Sequence, residues 1–112
     1  MRIAIPLAQG KLSLHFGHCD QFAIIDTDEN TKEITKREDM TPPAHEPGVL
    51  PRWLHEQNVN VIIAGGMGQR AQQLFAANGI EVVVGAMPDT PEAIVEQFLA
   101  GSLTTGSNLC DH

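Results

Sequence analysis

Two uninterrupted apolar runs lie near the start of the chain, at residues 2–7 (RIAIPL) and 21–26 (QFAIID). Runs of this length predict strands that are buried on both faces of a sheet. A polar turn leads from the second run to residues 32–39 (KEITKRED), where Ile34 is the main apolar residue. Charged side chains of this kind are typical of an edge strand, where they discourage unwanted pairing. The short link predicts a hairpin, so at least one strand is expected to be antiparallel.

The second half of the chain alternates between helical periodicity and buried strands. The predicted elements, in chain order, are a helix at 49–58, a strand at 59–65, a helix at 68–79, a strand at 80–85 and a helix from Thr90, its N-cap, to Gly101. The side chains expected to face the core follow helical spacing: Leu50, Trp53, Leu54 and Gln57, then Ala71, Leu74, Phe75 and Asn78, then Ile94, Val95, Phe98 and Leu99. Strands that alternate with helices favour right-handed crossovers and a parallel sheet in this half.

A chain of 112 residues is long enough for one packed core. We therefore predict a single α/β domain over residues 1–112, a mixed five-stranded sheet flanked by helices, with a proline-rich loop at 40–48 and an irregular tail at 101–112. No window is apolar enough to span a membrane, and the first residues lack the features of a signal peptide. A cytoplasmic location is expected, where two cysteines are more often thiols or ligands than a disulfide.

The charge balance excludes one class of partner. Seven basic residues stand against fourteen acidic ones, for a formal net charge of −7. Such a surface repels phosphate backbones, and no cluster of lysine and arginine offsets it. Nucleic-acid binding is therefore not expected, and no serine lies in a nucleophile motif that would indicate a hydrolase.

Three potential soft-metal ligands, His15, His18 and Cys19, lie within five residues at the start of a predicted strand. Imidazole and thiolate suit zinc, copper and iron–sulfur or related clusters rather than magnesium or calcium. In open α/β sheets, ligands bind in loops beyond the strand ends, and this segment is predicted to form such a loop. The alternative is that both histidines make loop hydrogen bonds and Cys19 packs as a small apolar residue; the spacing alone leaves both open.

Further soft ligands lie elsewhere in the chain. Cys110 and His112 are two residues apart, so in an extended tail their side chains would point the same way. If the tail folds back on the first loop, these residues join His15, His18 and Cys19 in a composite site, with His45 of the proline-rich loop as a further ligand. The alternative is a frayed chain end with incidental residues.

A glycine-rich turn, AGGMGQR at 64–70, links a predicted strand to a helix. Gly65, Gly66 and Gly68 would let backbone N–H groups converge on an anion at the positive end of the helix, with Met67 lining the pocket and Arg70 adding a charge. The segment lacks the Gly-Lys-Ser/Thr ending of a P-loop. The alternatives are that the glycines only allow a tight turn, that Met67 simply packs and that Arg70 is solvated.

With these residues in view, the chain resembles the dinitrogenase iron–molybdenum cofactor biosynthesis family, which includes NifX-like proteins and the C-terminal region of NifB-like proteins. The segments that carry the resemblance are RIAIPL, HFGHCDQFAIID, VIIAGGMGQRAQQLF and GIEVVVG. The resemblance implies a ribonuclease-H-like α/β fold and proteins that bind or carry metal–sulfur clusters, among them the orange protein with a molybdenum–copper sulfide cluster. It also implies that His15, in the HFG motif, is the histidine associated with the cluster.

These observations together predict a small cytoplasmic carrier of an iron-, molybdenum- or copper-sulfur cluster, which is not an enzyme and exchanges its cargo with donor or acceptor proteins. The cluster is expected between the His15–Cys19 loop and the Gly65–Gly68 turn. Three alternatives remain: a mononuclear zinc or copper site with a structural or sensory role, a phosphate- or nucleotide-binding module centred on the glycine turn, and a plain interaction module.

Overall fold

The computed structural model describes residues 1–13, 19–43 and 48–103. The strands are β1 (Arg2–Ala8), β2 (Lys11–Leu12), β3 (Gln21–Thr27), β4 (Ile34–Met40), β5 (Val61–Ile63) and β6 (Glu81–Val83), and the helices are α1 (Val49–Glu56), α2 (Gln69–Ala77) and α3 (Pro91–Leu99). Five of the strands form the predicted mixed sheet, in the order β4-β3-β1-β5-β6, and the two-residue β2 adds a sixth by pairing with β1. The predicted α/β fold class is confirmed.

The sheet is antiparallel in its first half and parallel in its second. β3 pairs antiparallel with both β1 and β4, whereas β5 pairs parallel with β1 and β6. The β3–β4 hairpin is therefore confirmed, and β4 is the exposed, charged edge strand that the pattern predicted. It begins at Ile34 rather than 32 because Lys32 adopts a left-handed backbone (φ 58°) within the turn.

The last two strands begin later and end earlier than predicted, and they begin later because the residues before them complete the ends of the preceding helices. The N–H of Val59 donates to the carbonyl oxygen of Leu54 (3.1 Å), and the N–H of Ile80 donates to that of Phe75 (3.0 Å). Each bond closes a helix whose following residue, Asn58 or Gly79, has a positive φ. This is the Schellman arrangement, which satisfies carbonyl groups that the helix itself leaves unpaired.

Helices cover both faces of the sheet, and each face has its own apolar cluster. On one face, α1 and α2 bury Leu50, Leu54 and Phe75 against strand residues such as Phe22 and Ile62. On the other, α3 buries Ile94 and Val95 against Ile3, Ile5 and Ile63. The residues predicted to face the core are buried or half-buried in all three helices. No helix within the described residues is long and apolar enough to cross a membrane.

Because β1, β5 and β6 run parallel, they finish on one side of the sheet, which we call its carboxyl end. Antiparallel pairing brings the start of β3 to this end, since Gln21 is opposite Leu7, and the end of β4 as well, since Met40 is opposite Phe22. The opposite side, where β1 begins, is the amino end. Arg2 donates from Nη1 to the carbonyl oxygen of Gln57 (2.6 Å), which places the last turn of α1 at the amino end and its first turn at the carboxyl end.

Candidate functional site

The described residues on either side of the HFG motif, residues 15–17, lie at the carboxyl end of the sheet. The N–H of Ser13 donates to the carbonyl oxygen of Pro6 (2.8 Å), and the N–H of Asp20 donates to that of Leu7 (2.7 Å). Ser13 and Asp20, on either side of residues 14–19, are thus both bonded to residues near the end of β1. His15 and His18 themselves lie outside the described residues.

Cys19 is buried at this end, with 8 % of its surface exposed, and belongs to the apolar cluster on the α1 and α2 face. Burial raises the pKa of its thiol to about 11, and the nearby Asp20 carboxylate adds to the shift. The thiol is therefore protonated at neutral pH and, without a ligand, packs as a small apolar residue. A metal would have to displace the proton, because the thiolate is the form that coordinates metals.

Met67 lies in the same apolar cluster as Cys19 and is fully buried. It forms part of the glycine-rich turn that follows β5, in which Gly65 and Gly66 are also buried. The turn follows the carboxyl end of β5, and Cys19 precedes β3, which starts beside the carboxyl end of β1. Because β1 and β5 are neighbouring parallel strands, the turn and Cys19 lie at the same end of the sheet. The structure thus brings together two of the features that the sequence singled out.

The three glycines of the turn do not owe their presence to a left-handed backbone. Among the glycines that the structure describes, those with positive φ are Gly10, Gly48, Gly79, Gly85 and Gly101, so Gly65, Gly66 and Gly68 are not among them. Gly68 has φ −65° and ψ 156°, an extended conformation that most residues adopt. Conformational freedom at Gly68 therefore does not explain the glycine, which weakens the alternative that these residues only permit a tight turn.

The N-terminus of α2 carries no compensation for its helix dipole. Gly68, its N-cap, makes no side-chain cap hydrogen bond, and the first turn holds no acidic residue. α3 shows the usual arrangement instead: Thr90 Oγ1 accepts from the N–H of Ala93 (3.3 Å), and Glu92 lies in the first turn. Arg70 is exposed and is the one charged residue in the first turn of α2. The start of α2 therefore favours a negative ligand.

α1 presents a second uncapped N-terminus at the carboxyl end, on the same face of the sheet. Gly48, its N-cap, has a left-handed backbone (φ 81°), and the helix has neither a side-chain cap nor an acidic residue in its first turn. The chain enters α1 from residues 44–47, which include His45 and lie outside the described residues. The described neighbours of this segment, Pro43 and Gly48, follow the end of β4 and precede α1, respectively.

The end of α3, which leads toward the C-terminal candidates, lies on the other side of the sheet. Phe98 and Leu99, at the end of α3, line a hollow of about 320 Å³ together with Met1 and Thr27, which places them at the amino end. Leu103, the last described residue, packs beside them against the α3-face cluster. Cys110 and His112 lie outside the described residues. A second hollow, of about 260 Å³, is lined by His55, Asn58 and Asn78, also at the amino end. Neither hollow contains a candidate residue.

Within residues 1–13, 19–43 and 48–103, no three His, Cys, Asp or Glu side chains are grouped so that they could hold a metal ion. The described residues therefore supply one soft donor, Cys19, beside a set of backbone N–H groups. One contributor was missed by the sequence interpretation: Gln72 donates from Nε2 to the carbonyl oxygen of Met67 (2.8 Å) and so holds the glycine-rich turn. Nothing in the pattern distinguishes this glutamine from any other helical glutamine.

In open α/β sheets, ligands bind beyond the carboxyl ends of the strands, which is where Cys19 and the start of α2 lie in this domain. The model of the family described as dinitrogenase iron–molybdenum cofactor matches residues 1–101, and the chain belongs to this family. It is thus a small cofactor-related protein, as the resemblance implied.

Similar proteins come from archaea and bacteria. The chain is 32 % identical over 108 residues to the uncharacterized protein MJ0580 of Methanocaldococcus jannaschii. This match covers 92 % of this chain and 89 % of that protein. The structure of this chain resembles the crystal structure of PH0822 (TM-score 0.84, 28 % identity, 95 % of this chain and 96 % of that one). It also resembles the apo form of the orange protein from Desulfovibrio gigas (TM-score 0.72, 24 % identity, 96 % and 93 % covered), a likeness that concerns the fold.

Proposed function

We propose that this protein binds an anionic metal–sulfur cluster as cargo at the carboxyl end of its sheet and passes it between partner proteins without catalysing a reaction. The observation that carries the proposal is the juxtaposition of Cys19 and Met67 in one buried cluster beside the uncompensated N-terminus of α2. The family description, which names an iron–molybdenum cofactor, supports a cargo of metal rather than an organic ligand.

Cys19 would be the described residue that bonds to the cargo directly. Its raised pKa means that binding must release a proton, so the affinity for the cluster falls as the solution becomes more acidic. The same cost keeps the empty site in a protonated, unreactive form. The cost of deprotonating Cys19 lowers the affinity for the cluster, which favours release of the cargo to a partner. The proposed site also lacks the closed cage of four ligands that structural metal sites use.

The remaining ligands of the proposal come from residues 14–18, 44–47 and the tail. His15 and His18 lie four residues and one residue before Cys19, and His45 precedes α1, so the described residues that flank all three lie at the carboxyl end. Cys110 is seven residues beyond Leu103. Seven extended residues span about 25 Å, which is about the length of a seven-residue strand. A tail of this length could bring Cys110 from the amino end to the carboxyl end of the sheet.

Anaerobic reconstitution tests the proposal. The full chain is incubated with tetrathiomolybdate, or with iron and sulfide, desalted and analysed for metal, acid-labile sulfide and visible absorption. We expect stoichiometric metal and sulfide in the wild type and their loss in the His15→Ala/Cys19→Ala variant. His55→Ala is the matched control, since His55 is exposed on α1 at the amino end, away from the candidate site.

The variants must be shown to fold, because Cys19 contributes to the core; unchanged far-UV circular dichroism suffices. Uptake of zinc or copper without sulfide would favour a mononuclear site instead. Binding of ATP that survives loss of His15 and Cys19 would favour a nucleotide-binding module. Full cluster uptake by the His15→Ala/Cys19→Ala variant would remove this loop from the site.

A further inference from the structure

The chain contains one asparagine that is followed by glycine, in the pair Asn78–Gly79 at the end of α2. In such a pair the backbone nitrogen of the glycine can attack the side-chain amide carbon of the asparagine, because glycine has no β carbon to hinder the approach. The attack expels ammonia and closes a five-membered succinimide ring, which water then opens to aspartate or isoaspartate. The other asparagines precede threonine, valine or leucine, whose side chains hinder this reaction: Asn30, Asn58, Asn60 and Asn108.

The structure holds the pair in a conformation that prevents ring closure. The ring requires the backbone nitrogen of Gly79 to lie beside Cβ of Asn78. The ψ angle of Asn78 is 12°, so this nitrogen lies instead beside the backbone nitrogen of Asn78. Both reacting groups also have hydrogen bonds within α2: Asn78 Nδ2 donates to the carbonyl oxygen of Leu74 (2.8 Å), and the N–H of Gly79 donates to that of Ala76 (3.0 Å). Ring closure therefore requires the last turn of α2 to open.

The end of α2 is accessible to water but anchored to the core. Asn78 is half-buried, Gly79 is exposed, and both line the hollow of about 260 Å³ at the amino end of the sheet. The next residue, Ile80, is buried and its N–H donates to the carbonyl oxygen of Phe75 (3.0 Å). Helix ends open locally at a lower free energy than the core, and the buried Ile80 sets how often this end does so.

We propose that Asn78 is a site of spontaneous deamidation that the fold controls, and that the modification in turn destabilises the end of α2. Asparagine donates from Nδ2, whereas an ionised aspartate only accepts and cannot bind the carbonyl oxygen of Leu74. The new negative charge would lie at the negative end of the helix, and the last turn of α2 contains no basic residue to offset it. Isoaspartate would also lengthen the main chain by one carbon and so displace the hydrogen bond of Gly79. The inference is independent of the proposed function.

The experiment follows the wild-type chain in mildly alkaline buffer, with and without a denaturing concentration of guanidinium chloride. Peptide mass spectrometry measures, at each asparagine, the mass increase that accompanies replacement of the amide by a carboxyl group. We expect Asn78 of the unfolded chain to react faster than Asn58 and Asn60. In the folded protein its rate should be at least about tenfold lower than in the unfolded chain. Circular dichroism of the folded sample checks that the fold persists during the incubation.

Asn78→Asp reproduces one product and tests the effect on stability. It should lower the ratio of folded to unfolded protein about tenfold, because a hydrogen bond is lost and a charge is added at the helix end. The matched control is Asn60→Asp, which adds the same charge to the wall of the same hollow. Asn60 Oδ1 accepts from the N–H of Arg2 (2.8 Å), and a carboxylate oxygen accepts as well, so this variant should be as stable as the wild type. Denaturant unfolding at neutral pH measures both.

Equal rates at Asn78 in the folded and the unfolded chain would overturn control by the fold. A rate in the unfolded chain no faster than that of Asn58 would overturn the site itself. If Asn78→Asp and Asn60→Asp are equally stable, the modification does not destabilise α2 and that part of the proposal is wrong. If Asn78→Asp does not fold, deamidated wild-type protein, separated by ion exchange, replaces it: a stability equal to that of the unmodified chain overturns the same part, and a lower stability supports it.

Discussion

The N–H of Asp20 donates to the carbonyl oxygen of Leu7 over 2.7 Å, and this bond ties the start of β3 to the end of β1. Its consequence is that Cys19, one residue earlier, is held at the carboxyl end of the sheet rather than on a free loop. The thiol then lies in the cluster that also contains Met67 of the neighbouring strand's turn. The backbone bond thus holds Cys19 at the same end of the sheet as the glycine-rich turn that precedes α2.

The raised pKa of Cys19 predicts slow alkylation at neutral pH. Because only the thiolate reacts, the rate of modification by iodoacetamide should rise about tenfold for each pH unit from 7 up to nearly 11, the pKa of this thiol. Peptide mass spectrometry separates Cys19 from Cys110 and measures both rates in one sample. A rate for Cys19 that levels off near pH 8.5, the range of a free cysteine, would show that the thiol is not desolvated.

Capping the N-terminus of α2 should stabilise the fold and weaken cargo binding. Gly68 has an extended backbone that accepts other residues, so Gly68→Asp adds a side-chain cap and a negative charge. We expect the free energy of unfolding to rise by a few tenths to about 1 kcal/mol and tetrathiomolybdate affinity to fall at least tenfold. Thermal unfolding and anaerobic titration measure the two effects.

The matched control for the added charge is Thr90→Asp, which replaces the existing side-chain cap of α3 with a negatively charged one. It should leave cargo binding as it is. If Gly68→Asp binds the anion as tightly as the wild type, the start of α2 takes no part in the site.

The pair formed by Arg2 and Asp26 predicts a pH-dependent contribution to stability at the other end of the sheet. Arg2 Nε lies 2.7 Å from Asp26 Oδ1, and this hydrogen bond holds the pKa of Asp26 below its ordinary value of 3.8. A carboxylate with a depressed pKa stabilises the folded state above pH 3.8, and the contribution is lost as the pH falls through the depressed pKa. Asp26→Asn should lower the free energy of unfolding by about 1 kcal/mol at pH 7, since both side chains are partly exposed.

Urea unfolding of the wild type and Asp26→Asn between pH 2 and pH 7 checks the sign. The difference between the two proteins should be constant in the upper part of this range and should shrink at the acidic end. A difference independent of pH would mean that the ion pair is not its source.

Cargo loading should quench the fluorescence of Trp53, the single tryptophan of the chain. Trp53 lies on α1, with its ring 5.8 Å from that of Phe22, and packs against the cluster that contains Cys19 and Met67. A metal–sulfur chromophore at the carboxyl end would lie close enough to accept its excitation. The quenching should follow metal stoichiometry in the wild type and be absent in His15→Ala/Cys19→Ala; quenching that persists in this variant would place the metal elsewhere.

The fold was readily predicted from the sequence because apolar periodicity and caps reflect the same packing that the structure shows. Thr90 and Pro91 begin α3, and Gly79 and Gly101 end their helices as expected. The strands after α1 and α2 were predicted to begin too early, because Val59 and Ile80 are apolar residues that are as typical of a strand as of a helix end. β2 was missed because a two-residue pairing leaves no periodic pattern.

The candidate site could be predicted only in part. The sequence identified Cys19 and the glycine-rich turn, and the topology explains why they meet. It could not decide whether Cys19 is ionised, because burial sets its pKa, and it gave no sign of Gln72, whose role depends on the direction of one carbonyl group. The contributions of His15, His18, His45, Cys110 and His112 stay predictions.

The central claim is that the cargo sits between Cys19 and the start of α2, and anomalous diffraction at the molybdenum edge from tetrathiomolybdate-loaded crystals of the full chain tests it most directly. The account predicts one strong peak within bonding distance of Cys19 Sγ or of a sulfide that contacts it, with a sulfur or oxygen of the cargo accepting a hydrogen bond from a backbone N–H at the start of α2. A peak at the amino end of the sheet, beside Met1 or His55, with the carboxyl end unchanged, would contradict it.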